Sequence, residues 1–414
     1  MQNTTPPKGS GPLQKREAKL AWFMLAPTLI SASLVVILPL IAVFWISFKP
    51  ITLGDLRVAS PKVYERIRGD IEISGDEAIL ELRLTNSSRK EPLSNVTMRD
   101  VLPEGMIILK LDPRCTLNGR DLYCDFGDWD PGYREMLRMP FQADQNFIDN
   151  AANPRDSVAE FTSSSSSVLL DNTFTLDNFV RLFDGRQFFN VIGVTLFYSV
   201  FGTIGALVAG LFAALLLNKS FRGQGILRGL YLFPYVAPVI AVAFTWVTLF
   251  DPFSGSANAL LIQMGVMDTP INFFGEKPQA LIMVTVFEIW RYFPMSFLFI
   301  LARMQSISSD MYEAADMDGA SPFQKFWYLS VPQLLGILSV LFLLRFIWTF
   351  NKFDDIFLLT GGAAGTRTLT VDVYEQAFAI SNIGAGAAVA VVIFVMLVMF
   401  SIVFFKYGSK EEGL

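Results

Sequence analysis

The sequence has no histidine in 414 residues and only two cysteines, Cys115 and Cys124. Catalytic triads that need histidine and histidine-ligated metal sites are therefore excluded, and two cysteines alone are too few for a zinc site. No GxxxxGK[ST] phosphate-binding loop occurs, so we do not expect the chain to bind ATP in the P-loop manner. We predict no catalytic residue, no metal site and no cofactor in this chain.

Charged residues are also scarce. They make up 17% of the chain, whereas hydrophobic residues make up 52%. A soluble domain is typically about 25% charged, so this shortage indicates a membrane protein. The net charge is −5 and no basic patch is present, so nucleic acid is not an expected partner.

Six segments are long and apolar enough to span a lipid bilayer, at about 20–48, 191–217, 230–250, 280–302, 333–350 and 384–405. The first is too long for the apolar region of a signal peptide, and we predict an uncleaved helix. The fourth contains Glu288 and Arg291, which are three residues apart on a helix and are expected to pair with each other. Asp354 and Asp355 are expected at the outer membrane interface.

Lysine and arginine are concentrated in the N-terminal tail, the 218–229 and 303–332 loops and the C-terminal tail. Short loops rich in these residues stay in the cytoplasm. Both termini are therefore predicted to be cytoplasmic, with residues 51–175 outside. The predicted organisation is a tail and first helix at 1–50, an external insertion at 51–175 and a five-helix core at 176–414.

The 51–175 insertion has a strand-like pattern. Ala78, Leu80, Leu82 and Leu84 alternate with other residues, and so do Leu137, Met139 and Phe141. A period of two predicts half-buried strands, and the length fits a small β-sandwich. The run from Ser163 to Ser167 is predicted to be a flexible linker.

An external location would also place Cys115 and Cys124 in an oxidising compartment. Disulfides form and persist in such compartments, so we predict a Cys115–Cys124 disulfide. The alternative is two free, buried thiols.

The predicted cytoplasmic loop at 303–332 contains two short helical patterns separated by a glycine. Glu313, Ala314 and Ala315 favour the first helix, and Gly319 allows the chain to turn. A second helix can begin with Ser321 as its N-cap and Pro322 at its first position. Phe323, Phe326 and Trp327 lie on one face of this second helix. Such an exposed aromatic face on a loop indicates a partner protein.

This loop resembles the EAA loop of permease subunits of ATP-binding-cassette (ABC) importers. The matching positions are Glu313, Ala314, Ala315, Gly319, Val331 and Pro332. In that family the loop forms a coupling helix that docks into a cleft on the ATPase subunit. The resemblance therefore implies an ATPase-docking surface that also includes Phe323, Phe326 and Trp327.

Other stretches resemble the maltose-transporter-like, sugar-type branch of this family, at 175–179, 232–238, 290–294 and 353–362. The resemblance runs from about residue 175 to the C-terminus and includes the first span. It implies an all-α polytopic fold with six transmembrane helices, here with an inserted external β-sandwich. In the maltose-type permease a large external loop at the same place contacts the binding protein. For this insertion, contact with a partner and a passive role remain open alternatives.

The resemblance also implies the partners. These are a second permease subunit, most often a different chain in this branch, two ATPase subunits that hold ATP and magnesium, and an external solute-binding protein. The implied function is import of a sugar or related polar solute across the cytoplasmic (inner) membrane of a bacterium.

Two rival functions are an ion-gradient-driven secondary transporter and a membrane enzyme. The first would not explain the 312–332 loop, and no inverted repeat is apparent. The second would need a catalytic constellation, which the sequence does not show.

Candidate solute-facing residues lie on one side of the fifth span. Arg345, Trp348, Thr349 and Lys352 are spaced i, i+3, i+4 and i+7. An aromatic ring beside hydrogen-bonding groups suits a sugar, and the matching face lines the sugar site in the maltose-type family. In the alternative, Arg345 pairs with a protein acid or Lys352 extends to the membrane surface.

Overall fold

The computed structural model of the chain describes residues 12–150, 153–156, 158–165 and 172–407. The chain separates into two compact units. The membrane unit consists of Met1–Phe48, Leu176–Ile380 and Gly384–Leu414, and the β unit consists of Lys49–Thr175 with Ser381–Ile383.

The α-helices of the described residues are α1 Pro12–Ala32, α2 Leu38–Ser47, α3 Gln145–Asp149, α4 Asp177–Asp184, α5 Arg186–Leu217, α6 Gln224–Tyr231, α7 Phe233–Val236, α8 Val239–Leu249, α9 Ser256–Gln263, α10 Gln279–Gln305, α11 Ser309–Met317, α12 Pro322–Lys325, α13 Val331–Phe350, α14 Asp354–Thr360, α15 Leu369–Tyr374 and α16 Ile383–Tyr407. Short π-helical turns at Ser33–Ile37, Phe326–Ser330 and Glu375–Ala379 continue the preceding helices. Short 3₁₀ turns occur at Leu53–Leu56 and Pro154–Asp156.

Five helical stretches of the described residues are long and apolar enough to cross a membrane: Leu13–Ser47, Arg186–Leu217, Gln279–Gln305, Pro322–Phe350 and Ile383–Tyr407. The pair Gln224–Val236 and Val239–Leu249 is bent by 89° and gives a sixth if it counts as one span. The bend has a sequence cause. Pro238 has no N–H to continue the helix, and the preceding Ala237 takes an extended conformation, with ψ at 142°.

Helices α5 and α10 pack closely because α5 carries glycine at the contact. A Cβ at Gly210 would lie only 2.7 Å from the backbone nitrogen of Phe297. Small residues let membrane helices approach in this way. The result is that polar side chains of the two helices also come into direct contact.

The β unit contains eight strands among the described residues: β1 Pro61–Arg68, β2 Glu77–Asn86, β3 Leu93–Val101, β4 Met106–Ile108, β5 Cys115–Asn118, β6 Asp121–Trp129, β7 Arg134–Ala143 and β8 Glu160–Ser164. They form two four-stranded antiparallel sheets with the orders β1-β2-β7-β4 and β5-β6-β3-β8. Side chains from both sheets share one apolar core.

The strands predicted from alternation are confirmed. The alternating apolar residues of β2 and β7 are buried, and these two strands pair directly. Cys115 and Cys124 are direct partners in the β5–β6 register and form a disulfide. The predicted serine linker is wrong in its first part, because Ser163 and Ser164 belong to β8, which pairs with β3. Ser166 and Ser167 lie outside the described residues.

Candidate functional site

The predicted docking loop is a helix–turn–helix. Helix α11 ends at Met317, and Gly319 has a positive φ of 75°, a conformation that favours glycine. Ser321 then caps α12 with Gln324 in a reciprocal capping box, and Pro322 is the first residue of the helix. The local structure is therefore the one that the sequence predicts.

The second short helix, α12, is not separated from the fifth predicted span by a loop. Helix α12 continues through the π-helical turn into α13, so Pro322–Phe350 is one helical stretch. The sequence predicted the fifth span only from about residue 333. A continuous helix connects the loop mechanically to the span that carries Arg345 and Trp348.

Helix α11 contacts both α12 and the π-helical turn that follows it. Lys325 Nζ lies 2.5 Å from Asp316 Oδ1, and the hydroxyls of Tyr312 and Ser330 share a hydrogen bond of 2.9 Å. These contacts give the loop a defined shape without a partner.

The loop exposes a large aromatic patch. Phe323 is 71% exposed and Trp327 is 51% exposed, while Phe326 is half-buried and its ring lies 5.2 Å from that of Trp327. Tyr328 and Met317 are also exposed, and the sequence analysis missed both. Of the remaining motif residues, Glu313, Ala314 and Pro332 are exposed and Ala315 is half-buried. Together these residues present an exposed, mostly apolar surface that also carries the carboxylate of Glu313.

A polar cluster lies among the membrane helices, with Glu288 of α10 at its centre. Glu288 is 0% exposed. Its Oε1 accepts hydrogen bonds from Arg345 Nη2 at 2.7 Å and Thr349 Oγ1 at 2.9 Å, both on α13. Its Oε2 accepts from the Tyr198 hydroxyl of α5 at 3.0 Å. One carboxylate thus joins three spans. Gly202 on α5 makes room for it, since a Cβ there would lie 2.9 Å from Glu288 Cγ.

The expected pairing of Glu288 with Arg291 is wrong. Glu288 pairs with Arg345, and Arg291 Nε lies 3.8 Å from Asp355 Oδ1. Helical spacing predicts neighbours on one helix, but each side chain here reaches a partner on another element. Asp355 is fully buried within the protein, and its position at the outer membrane interface stays a prediction.

The four predicted solute-facing residues have different surroundings. Arg345 and Thr349 are buried against Glu288, so Arg345 has the protein acid that the sequence left open as an alternative. Trp348 is 48% exposed. Lys352 Nζ lies 3.3 Å from Asp354 Oδ1 and 3.7 Å from Asp355 Oδ2. A solute-facing role stays a prediction, and Trp348 has the surface to fulfil it.

The ring of Tyr292 contacts the cations of two ion pairs, Arg345–Glu288 and Lys352–Asp355. Its ring lies 4.7 Å from the Arg345 guanidinium carbon and 4.6 Å from Lys352 Nζ. Cations at this distance from an aromatic face are attracted to it. Tyr292 was noted only as part of a family stretch, and its contacts depend on three-dimensional packing.

Comparisons with known proteins identify the chain's relatives. The family described as "Binding-protein-dependent transport system inner membrane component" matches residues 206–408. The inner membrane ABC transporter permease protein YcjO of Escherichia coli (strain K12) is 33% identical over 230 residues, which are 55% of this chain and 78% of that protein. The trehalose/maltose transport system permease protein MalF of Thermococcus litoralis is 33% identical over 234 residues, 56% of this chain and 79% of that protein.

The solved structures agree on the fold. A chain from the crystal structure of a bacterial ABC transporter involved in the import of the acidic polysaccharide alginate matches with a TM-score of 0.52 at 21% identity. The match covers 57% of this chain and 86% of that chain. The relatives are transporter permeases and not enzymes, and the apolar helices make this chain a multi-pass membrane protein. The chain belongs to the family of binding-protein-dependent transport system inner membrane components, the permease subunits of ABC transporters.

Proposed function

We propose that this chain imports a sugar or a related polyhydroxylated solute, as one of two permease subunits driven by two separate ATPase subunits. The observation that carries this proposal is the 303–332 loop. It presents Phe323 and Trp327 to solvent and continues as a single helix into the fifth span. A partner that moves the loop would therefore move α13 with it.

The solute class rests on the relatives. The name of one relative refers to trehalose/maltose, and a structural neighbour belongs to a transporter involved in the import of the polysaccharide alginate. Hydroxyl groups are common to these solutes. Trp348 offers a half-exposed ring on α13, and aromatic rings pack well against the apolar face of a sugar. We place Trp348 and Lys352 at the solute, with Arg345 and Thr349 on the same face held by Glu288.

The orientation follows from the distribution of lysine and arginine. Both termini and the 303–332 loop lie in the cytoplasm, and the β unit lies outside as an external β-sandwich. The membrane is the cytoplasmic membrane of a bacterium, and an external binding protein delivers the solute. A thiol introduced at Ser164, an exposed position of β8, is expected to react with an impermeant maleimide in intact cells. Reaction only after lysis would instead place the β unit in the cytoplasm.

The function is tested by reconstituting the permease pair with its ATPase subunits in liposomes. A panel of a disaccharide, an alginate oligosaccharide, glycerol-3-phosphate and an amino acid is first screened by thermal shift of the binding protein. Uptake of the hit is expected only with ATP on the ATPase side and binding protein on the other. Uptake driven by an ion gradient without ATP would identify a secondary transporter instead.

The solute contact is tested separately at Trp348. Trp348→Ala is expected to lower uptake and solute-stimulated ATPase activity together while the complex stays assembled, whereas Trp348→Phe keeps a ring and retains more activity. Unchanged uptake kinetics in the alanine variant would assign Trp348 to helix packing.

A further inference from the structure

The bend in the third span leaves a backbone carbonyl without its helical donor. In an α-helix the carbonyl of residue i accepts a hydrogen bond from the N–H of residue i+4. Pro234 and Pro238 are four residues apart, and proline has no N–H, so Pro238 cannot serve the Pro234 carbonyl. Ala237 leaves the helix in an extended conformation. Unsatisfied backbone groups at membrane depth are costly and need another donor.

Arg291 of α10 supplies that donor. Its Nη1 donates to the Pro234 carbonyl at 3.3 Å and to the Ala237 carbonyl at 3.2 Å, and its Nη2 also donates to Ala237 at 3.2 Å. The side chain is buried. The planar guanidinium has enough N–H groups in a fixed arrangement to serve two carbonyls at once.

The same guanidinium lies next to an acid that makes no hydrogen bond. Asp355 is fully buried, and neither of its oxygens accepts a hydrogen bond from any residue that the structure describes. Arg291 Nε lies 3.8 Å from one oxygen and Lys352 Nζ lies 3.7 Å from the other, both too far for a hydrogen bond. Arg291 Nε is likewise without an acceptor among the described residues. A small movement would convert the ion pair into a hydrogen-bonded one, which is the form in which buried ion pairs are stable.

We propose that Arg291 is a positioning residue with two alternative sets of partners. In the present conformation it holds the bend by donating to the Pro234 and Ala237 carbonyls. In a second conformation of the transport cycle its Nη1 and Nη2 groups turn from the carbonyls to the two oxygens of Asp355, as in a bidentate arginine–carboxylate pair, and the carbonyls at the bend lose their donor. The two arms of the third span, α6–α7 and α8, then change their angle.

The hold on the bend is tested by a distance that does not depend on transport. Spin labels at Ile226 and Thr248, exposed positions on the two arms, are measured in the assembled complex without nucleotide. Arms at right angles place these positions about 23 Å apart along their axes, and a straight helix places them about 33 Å apart, at 1.5 Å per residue.

The wild type and Arg291→Lys, which keeps a cationic donor, are expected to give one population near the short distance. Arg291→Met is expected to add a population at longer distance. If the distance distribution of Arg291→Met superimposes on that of the wild type, Arg291 does not maintain the bend. The double variant Arg291→Met/Asp355→Asn removes both charges together. It is expected to show the longer population as well, even if the single methionine variant fails to assemble because Asp355 is left unpaired.

The second set of partners is tested by Asp355→Asn, with Asp354→Asn as the matched neighbour. This step rests on the proposed transport function. The Asp355→Asn variant is expected to keep the short label distance and lose uptake by tenfold or more, because the amide cannot attract the guanidinium. The Asp354→Asn variant, whose side chain is half exposed, is expected to retain most uptake. Normal uptake by Asp355→Asn would show that transport does not require Arg291 to donate to Asp355. Absence of ATP-driven uptake in the wild type would instead contradict the proposed function, and the label distances would still test the bend.

Discussion

Glu288 of the membrane unit and Glu65 of the β unit are both buried, but their surroundings are opposite. Glu288 in the membrane unit accepts three hydrogen bonds, one of them from Arg345, its ion-pair partner. Glu65 in the β unit is also buried, but its Oε2 has no donor among the residues that the structure describes. Burial and the nearby Asp100 raise the pKa of Glu65 to about 8, against the weaker opposing effect of Arg155. The first carboxylate is paired with a cation on another helix, whereas the second is held in its protonated form near neutral pH.

The difference extends to the two units as a whole. The β unit buries Leu80, Leu82 and Leu84 in an apolar core, as soluble domains do. The membrane unit exposes apolar side chains such as Phe212 and gathers Glu288 and Arg345 inside. Lipid accepts apolar side chains but gives buried charges no partner, so charges in a membrane must find each other within the protein.

Removing the acid of the membrane cluster is expected to have the largest effect on stability. Glu288→Gln leaves the Arg345 guanidinium buried without a counter-ion, and breaking a buried pair in this way costs about 3–5 kcal/mol. Denaturant unfolding of the purified complex in detergent measures the loss. The double variant Glu288→Gln/Arg345→Met, which removes both charges, is expected to recover most of it. Equal loss in the single and the double variant would show that charge pairing is not the cause.

Truncating one apolar residue in each unit tests whether apolar side chains stabilise the β unit from its core but contribute little on the surface of the membrane unit. Leu82→Ala in the core of the β unit is expected to cost about 2–5 kcal/mol, from lost burial and the cavity that remains. Phe212→Ala on α5, where the ring is 62% exposed, is expected to change stability by less than about 0.5 kcal/mol. Thermal unfolding of both variants gives the two values. A large loss for Phe212→Ala would show that this position is covered by another subunit and not by lipid.

Because Glu65 is protonated in the folded state, we expect the free energy of unfolding to change by at most about 1.4 kcal/mol per pH unit. Because its pKa is about 8 in the folded state and near 4.5 when unfolded, the folded state binds more protons between these values. The stability contribution is therefore complete below about pH 4.5 and is lost as the pH rises towards 8. Unfolding of the β unit within the full chain, followed from pH 5 to 8, is expected to show this decline.

Glu65→Gln is the matched control, because the amide stays neutral at every pH. It is expected to flatten the profile and to be the more stable form at pH 8. An unchanged slope in this variant would assign the pH dependence to other groups.

Much of this architecture could be predicted from local sequence. The strands β2 and β7 follow from alternation, and the turn at Gly319 and the cap at Ser321 follow from single residues with strong local preferences. The bend at Ala237 and Pro238 has an equally local cause, although the segment reads as one apolar span.

The partners of the buried charges could not be predicted in this way. Helical spacing suggested Glu288 with Arg291, but the packing of α5 on α10 and the approach of α13 decide that Glu288 faces Tyr198, Arg345 and Thr349. The donors at the bend likewise come from α10, more than fifty residues away in the chain. Contacts between distant segments leave no local pattern in one sequence.

The proposed function depends most directly on the coupling of the 303–332 loop to the ATPase subunits. Gly319 has a positive φ, and a Cβ there would meet no atom within 4 Å among the described residues beyond its two chain neighbours. A substitution therefore acts through backbone strain of about 1–2 kcal/mol and through what it presents to the partner. Gly319→Asn and Gly319→Asp have nearly the same shape, and asparagine and aspartate both tolerate this conformation better than other residues. They differ in charge, which is costly to bury at an interface.

Pull-down of the ATPase subunits and ATP-driven uptake are measured side by side for the wild type and both variants. We expect Gly319→Asn to retain bound ATPase and a reduced but measurable uptake. We expect Gly319→Asp to insert normally but to lose uptake, with ATPase subunits that detach or hydrolyse ATP without regard to solute. If the Gly319→Asp complex keeps its ATPase subunits and transports at the normal rate, this loop does not couple ATP hydrolysis to transport.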